Sequence, residues 1–527
     1  MESQSHSSDD TTMIAESVRE VRQTFSSGKT REESWRREQL KRLLSLLLER
    51  EDDICRALGQ DLGKHHVESY RDEVGPLIKS VNYALQGLKK WMAGRKAELP
   101  LAAFPASAQL VPEPLGVVLI MSSWNFPFGL CLEPLVGAIA AGNGAVIKPS
   151  ELSPVSSSVL AELVHAYLDT TAIKIVQGGV SVGEQLLQQK WDKIFFTGGA
   201  KVGRVVMTAA ARNLTPVALE LGGKCPAVVD VLSSSWDQKI AMKRILSAKF
   251  GTCAGQACIA IDYILVEKKF SSTLVELLKT AIFSMFGENQ KENIARIINK
   301  SHFSRLRNLL NEPMVTNSIV HGGWLDEDNL FIEPTLLLDP PVNSGIMSEE
   351  IFGPLLPIIT LERIEDSIEF INSMPRPLAI YAFTNSEGLK KKLSSRTSSG
   401  SIVFNDAIIQ NPYIGVSKSH LASYAPSNAL LHQDLNLTNI GRILILVPYV
   451  ADSFPFGGVG ESGFGRYHGK FSFEVFSHEK VIARRSFLVD FWFRYPPWND
   501  HKLQLFKSAY VFDYLGILLI LLGLKKS

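Results

Sequence analysis

The chain has 527 residues, more than one hydrophobic core usually supports, so two or three structural units are expected. With 45% hydrophobic and 21% charged residues it lies in the range of soluble globular proteins, away from disordered and fibrous classes. Lys and Arg (55) balance Asp and Glu (54) to a formal net charge of +1, so no global field draws it to nucleic acid, and small-molecule chemistry is the better expectation.

In chain order, residues 1–13 form a polar tail without the apolar run of a secretory signal, and the arginines between Arg19 and Arg50 are mixed with glutamates, unlike a transit peptide. A cytosolic start is expected. From Ile14 to Leu62 apolar residues recur at helical spacing (Ile14, Val18, Val21, Phe25, then Leu40, Leu43, Leu44, Leu47), which predicts amphipathic helices. After Pro114, short apolar runs alternate with longer helical stretches. Residues 117–121, 145–147, 173–176, 194–196 and 217–219 read as strands, and the alternation implies a parallel sheet with helices on both faces. A second block of this kind runs from Ala227 to about Asp406, with a boundary near Gly222-Gly223. Five cysteines (Cys55, Cys131, Cys225, Cys253, Cys258) are too few and too irregular for a disulfide framework and have no zinc spacing, so no metal is expected and a reducing compartment fits.

Several stretches have the chemistry of a site. Phe196-Thr197-Gly198-Gly199-Ala200-Lys201-Val202-Gly203 follows a strand and opens a helix, where glycines let a backbone approach a pyrophosphate. Its spacing is not GxGxxG, and a tight strand-to-helix turn accounts for it equally well. Lys148 and Glu151 end a strand where a ribose could be held, or form a solvated pair. Asn125, between a strand and a helix, is a donor for an oxyanion or an Asx turn. Glu220 is a lone carboxylate at an apolar strand end, where desolvation raises its pKa toward that of a general base, or the partner of a nearby lysine. Gly255-Gln256-Ala257-Cys258 places a thiol in a segment expected to turn into a helix whose N-terminal dipole favours thiolate; the alternative is an inert buried cysteine.

Taken together, Trp124-Asn125-Phe126-Pro127, Lys148-Pro149-Ser150-Glu151, the stretch from Phe196 to Gly203, Leu219-Glu220-Leu221-Gly222-Gly223-Lys224, Gly255 to Cys258, Glu349-Glu350-Ile351-Phe352-Gly353-Pro354 and Pro455-Phe456-Gly457-Gly458 resemble, in this order, the aldehyde dehydrogenase superfamily. The flanks 57–64 (ALGQDLGK) and 461–470 (ESGFGRYHGK) are most similar to its class 3 branch, the fatty aldehyde dehydrogenases and related plant enzymes. The resemblance spans about residues 14–490.

The resemblance implies an α/β fold with a Rossmann-like cofactor domain (14–221), an α/β catalytic domain (222–405), a small bridging or oligomerisation β element (406–490) and a C-terminal tail (491–527). It implies oxidation of medium- or long-chain aldehydes. Cys258 would form a thiohemiacetal whose oxyanion is held by Asn125 and the Cys258 backbone N–H, hydride would pass to the nicotinamide, and Glu220 would activate the water that hydrolyses the thioester. Cys253, five residues earlier, lacks the GQxC context. Lys148 and Glu151 would hold the adenosine ribose, Gly198, Gly199 and Gly203 the diphosphate turn, and Glu350 and Phe352 the nicotinamide ribose and ring. NAD or NADP would be the cofactor, with NAD favoured because Glu151 repels a 2′-phosphate. A cytoplasmic homodimer is implied, with no nucleic acid partner.

Two features depart from the family pattern. Residues 411–448 read as an insertion between Gln410 and Tyr449, either a tolerated surface excursion or the mark of an impaired isoform that acts as a binding or assembly partner. Residues 508–524 are apolar apart from Asp513, at the lower limit for a spanning helix, so an interfacial or partner-packed helix, or attachment to the cytosolic face of the endoplasmic reticulum, stays open.

Overall fold

The computed structural model describes residues 2–100, 106–408, 454–488 and 490–524, with backbone alone for 2–11. The expected insertion at 411–448 lies outside the described residues. The chain divides into one unit comprising Met1–Lys89 and Pro114–His478 and a second comprising Lys90–Glu113 and Glu479–Ser527.

The first unit opens with helices Glu2–Ser26, Glu33–Glu49 and Glu51–Leu62. The helical spacing has its cause in burial: Ile14, Val18 and Val21 pack into a core with Val117, Val146 and Leu186. A six-stranded sheet follows, in the order Gly463–Phe464, Val217–Leu221, Lys193–Gly198, Val117–Met121, Gly144–Lys148, Ile173–Ile175, parallel except for its first pair. Val117–Met121 and Gly144–Lys148 are buried at every position, the pattern of a parallel sheet covered on both faces. Helices Gly129–Ala141, Pro154–Tyr167, Val180–Gln188 and Ala200–Ala211 supply the crossovers.

The seven-stranded sheet of the same unit runs Ile319–His321, Thr335–Leu338, Leu355–Leu361, Ile261–Glu267, Cys225–Val229, Ala379–Phe383, Ser401–Phe404, with only the Ile319–His321 pairing antiparallel. Its core includes Val228, Leu265, Phe303, Leu306, Leu337 and Ile380.

The second unit contains a three-stranded sheet of Arg95–Lys96, Ser107–Pro114 and Ser477–Arg484, then helices Asp500–Tyr510 and Tyr514–Leu521. The apolar tail is therefore two short helices. Phe512 takes φ +55° between them, and Asp513 caps the second by accepting the Gly516 N–H at 2.7 Å. Among the described residues, no helix is long and apolar enough to cross a membrane.

Candidate active site

The C-terminal ends of adjacent parallel strands gather the first group of residues. Lys148 pairs in register with Met121, Met121 with Phe196, Thr197 with Glu220 and Gly198 with Leu221, so these positions share one edge of the sheet. In open α/β sheets this edge is where ligands bind. Lys148 Nζ donates to Glu151 Oε2 at 2.8 Å and to the Pro149 carbonyl at 3.2 Å. Burial raises the Glu151 carboxyl, but the Lys148 hydrogen bond, a backbone N–H bond and the Lys148 charge together outweigh it and hold the group below its ordinary value.

Gly198 ends its strand and Gly199 precedes helix Ala200–Ala211. A Cβ on Gly199 would meet nothing within 4 Å, so its approach is open, whereas one on Gly203 would sit 3.0 Å from Leu221 Cδ2. Gly203 thus permits close helix–strand packing while the helix N-terminus above it offers free N–H groups to an anion.

A second group surrounds Cys258. After helix Ser235–Lys249 the chain turns through Cys253, Ala254 and Gly255, with φ of +48°, +51° and +78°. Gln256 pins the turn: its Nε2 donates to the carbonyls of Cys253 at 2.9 Å and Arg296 at 3.0 Å, and its Oε1 accepts from Ile298 N–H at 3.1 Å. All five cysteines are described and unpaired, and Cys258 alone is not fully buried.

The helix expected after Cys258 is absent. Turns at 256–260 run directly into strand Ile261–Glu267, so no helix dipole favours the thiolate. Burial, with the Glu350 and Glu220 charges beside it, pushes the Cys258 thiol upward.

Asn125 joins this group through Nδ2, which donates to the Gln256 carbonyl at 2.9 Å. Glu220 is 4% exposed and neither carboxylate oxygen has a hydrogen-bond partner among the described residues. Burial drives its pKa well above the usual carboxylate range.

Glu350 rests against Gly222, where a Cβ would collide with its carboxylate. Its Oε1 is buried with no hydrogen-bond partner among the described residues, and burial, then Asp262, raise its pKa to about 8. Phe352 holds φ +50° and meets Trp124 edge to face at 5.3 Å; Trp124 in turn meets His302 at 5.1 Å.

Sequence reasoning assigned no role to the residues that fix this loop. Lys224 Nζ donates to Asp262 and to the carbonyls of Ile346 at 2.8 Å and Glu349 at 3.0 Å. Asp262 accepts the Ile351 N–H at 3.0 Å, and Arg305 donates to the Ile351 carbonyl at 2.5 Å. The one signal available was a lysine and an aspartate at apolar strand ends, where an unpaired charge is too costly to stand alone. The open helix N-terminus, the Lys148–Glu151 pair and the unpartnered Glu350 oxygen together suit a dinucleotide with a ribose hydroxyl near Glu350.

The aldehyde dehydrogenase family model matches residues 4–440. The chain is 50% identical over 515 residues to aldehyde dehydrogenase family 3 member F1 of Arabidopsis thaliana, covering 97% of this chain and 99% of that one. It is 38% identical over 488 residues to 4,4'-diaponeurosporen-aldehyde dehydrogenase of Staphylococcus aureus, covering 92% and 96%. A solved structure described as the substrate bound state of Staphylococcus aureus AldH superposes with a TM-score of 0.84 at 37% identity, covering 94% of this chain and 99% of that one. The chain belongs to the aldehyde dehydrogenase family, and it is an oxidoreductase that converts aldehydes to carboxylic acids with NAD or NADP.

Proposed function

We propose that Cys258 is the nucleophile, Asn125 the oxyanion donor and Glu220 the general base of this reaction. The observation that carries the reading is the juxtaposition of the one cysteine that is not fully buried with an Asn125 amide hooked onto the same turn. The Cys258 sulfur adds to the aldehyde carbon while its thiol proton passes to solvent, giving the thiohemiacetal as its oxyanion. One Asn125 N–H is held by Gln256, and the second stabilises the oxyanion together with the Cys258 N–H. The nicotinamide, when bound, would supply the hydride acceptor, and loss of hydride from the adduct carbon leaves a thioester on Cys258. Glu220 then removes a proton from water, which attacks the thioester, expels the Cys258 sulfur and releases the acid. A buried carboxylate with no partner is a stronger base than a solvated one, which suits this step.

Lys148 and Glu151 hold the adenosine ribose in this account, Gly198, Gly199 and Gly203 the diphosphate, and Glu350 and Phe352 the nicotinamide end. The six-stranded sheet region (14–221) serves as the cofactor domain and 222–405 as the catalytic domain. NAD is the preferred cofactor, because a 2′-phosphate beside the ionised Glu151 is repelled.

The substrate in this reading is a medium- or long-chain aliphatic aldehyde. A relative named for 4,4'-diaponeurosporen-aldehyde supports it, as do the buried rings of Trp124, Phe126 and Phe128, which flank Asn125 along the chain. Each methylene buried contributes about 0.8 kcal/mol, roughly a fourfold gain. The kcat/KM measured from butanal to decanal is expected to rise about that much per methylene; a flat series would remove the chain-length assignment and leave aldehyde oxidation intact.

A homodimer in the cytosol completes the reading, and five unpaired thiols suit a reducing compartment. The tail attaches the protein to the cytosolic face of the endoplasmic reticulum. Beyond Tyr510, exposed Val511, Phe512, Leu515, Leu518 and Leu522 form the apolar surface that enters a lipid interface, with exposed Trp492 and Trp498 earlier in the tail as secondary anchors. Full-length protein should co-float with vesicles of phosphatidylcholine and phosphatidylserine, and a truncation after Tyr510 should float several-fold less. Equal recovery of both forms in the soluble fraction would exclude attachment.

A further inference from the structure

We propose that Glu68 is a positioning residue for the nucleophile turn, an inference that rests on the reading of Cys258 as nucleophile. Glu68 is 8% exposed, on the short helix His66–Ser69, and its Oε1 accepts the Cys253 N–H at 2.7 Å. Cys253 is the first of three consecutive left-handed residues, two of them not glycine. Such backbone persists only where surrounding contacts over-determine it. Without an acceptor, the Cys253 N–H would be buried and orphaned, and the turn that sets where Cys258 emerges would lose its anchor.

The surrounding chain serves the same purpose. Directly after Glu68, residues Tyr70–Val74 form a single wide π-helical turn, a local feature common at functional sites. It aims Glu73 at the Asn125 loop, where Oε2 accepts the N–H groups of Phe128 at 2.9 Å and Gly129 at 3.0 Å. Lys64 Nζ, fully buried, donates to Glu73 at 2.8 Å and to the Asn125 carbonyl at 2.9 Å. Arg71, paired with Asp72, donates to the Gly251 carbonyl at 2.9 Å. One stretch of ten residues, Lys64 to Glu73, therefore grips the two loops that carry Asn125 and Cys258. Each grip is a charge-assisted bond to backbone, so it fixes position without entering the chemistry.

Glu68 and Arg71 are the members of this clamp that hold the nucleophile side, and Glu68 is the one bonded within the left-handed turn itself, through the Cys253 N–H, with no bond to the Asn125 loop. Burial, then the Asp72 charge, raise its pKa to about 7, while Lys64 and the Cys253 amide oppose the shift. A carboxamide at this position retains an acceptor oxygen of the same shape without the charge. Geometry and charge can therefore be separated by substitution.

The test uses the full chain with saturating NAD. Glu68→Ala is expected to lower kcat about 30-fold, to slow alkylation of Cys258 by iodoacetamide by a similar factor, and to leave the NAD dissociation constant within twofold. Glu68→Gln is expected to recover kcat and alkylation to within threefold of the parent protein. Normal kcat and alkylation in Glu68→Ala would overturn the proposal, as would a Glu68→Gln variant as impaired as Glu68→Ala while fully folded by circular dichroism. If Glu68→Ala fails to fold, the Glu68→Gln comparison decides alone: parent-like kcat and alkylation support an acceptor role, and their loss contradicts it. A Cys258→Ala control run in parallel separates the two claims, since turnover there would sink the nucleophile assignment and not the clamp geometry.

Discussion

Cys258→Ala is expected to lower kcat by about 10⁴-fold or more while leaving NAD binding within twofold. The thiol acts in bond formation only, and none of the hydrogen bonds that shape the strand-end edge around Lys148 and Gly199 passes through its sulfur: Lys148 pairs with Glu151, and Gly203 with the Gly199 carbonyl. The rival thiol is Cys253, which is fully buried and points its Sγ at the Asn125 carbonyl 3.5 Å away. An aldehyde cannot reach it without dismantling the turn. Cys253→Ala is expected to cost less than tenfold in kcat, from slackening of that contact. NADH formation by stopped assay with hexanal on both variants checks this; a Cys253→Ala enzyme that is inactive beside an active Cys258→Ala enzyme would reverse the assignment.

Glu220→Gln should separate the two halves of the reaction. An amide cannot accept the proton from water, so acylation proceeds and deacylation stalls. Rapid mixing is expected to show a burst of about one NADH per active site followed by turnover slowed about 10²- to 10⁴-fold. The pH dependence follows with a definite sign. Only the ionised carboxylate is a base, and burial sets the Glu220 pKa well above 4.5, so deacylation in the parent enzyme falls as pH drops through that raised value. The Gln variant is expected to lose this limb. A burst-free variant with parent turnover, or an acid limb that persists unchanged, would remove Glu220 from the base role.

The strand ends were legible from local pattern. Runs such as Val117–Met121 are continuous in buried apolar residues because both faces of the parallel sheet are covered, and such runs announce themselves without periodicity. Lys148, Gly198 and Glu220 lie at or next to the ends of strands that the pattern had already fixed, and Glu151 lies in the turn that follows Lys148. The expected helix after Cys258 failed for the same local reason. Gly-Gln-Ala-Cys reads as a helix start, but Ile261, Tyr263, Ile264 and Val266 that follow are β-branched or aromatic and buried between neighbouring strands, so tertiary pairing overrides the local signal.

The clamp from Lys64 to Glu73 was not legible at all. Its partners lie at residues 125, 128, 129, 251 and 253, and nothing in a run of Lys, Glu and Asp along a helical stretch distinguishes a buried anchor from a solvated face. Likewise, the Asp262–Lys224 pair that holds the Glu350 loop links positions whose separation carries no periodic signal. The broken tail was legible only in part: Asp513 was visible as a lone charge, yet its role as a helix cap depends on the turn at Phe512.

Covalent catalysis at Cys258 can be measured directly by trapping the acyl enzyme. Glu220→Gln protein is mixed with NAD and decanal, quenched in acid once the NADH burst is complete, digested, and read by mass spectrometry. The account predicts one decanoyl group per chain, on the peptide carrying Cys258 and on that sulfur. A decanoyl group on Cys253, or a completed burst with no acylated cysteine, would contradict it.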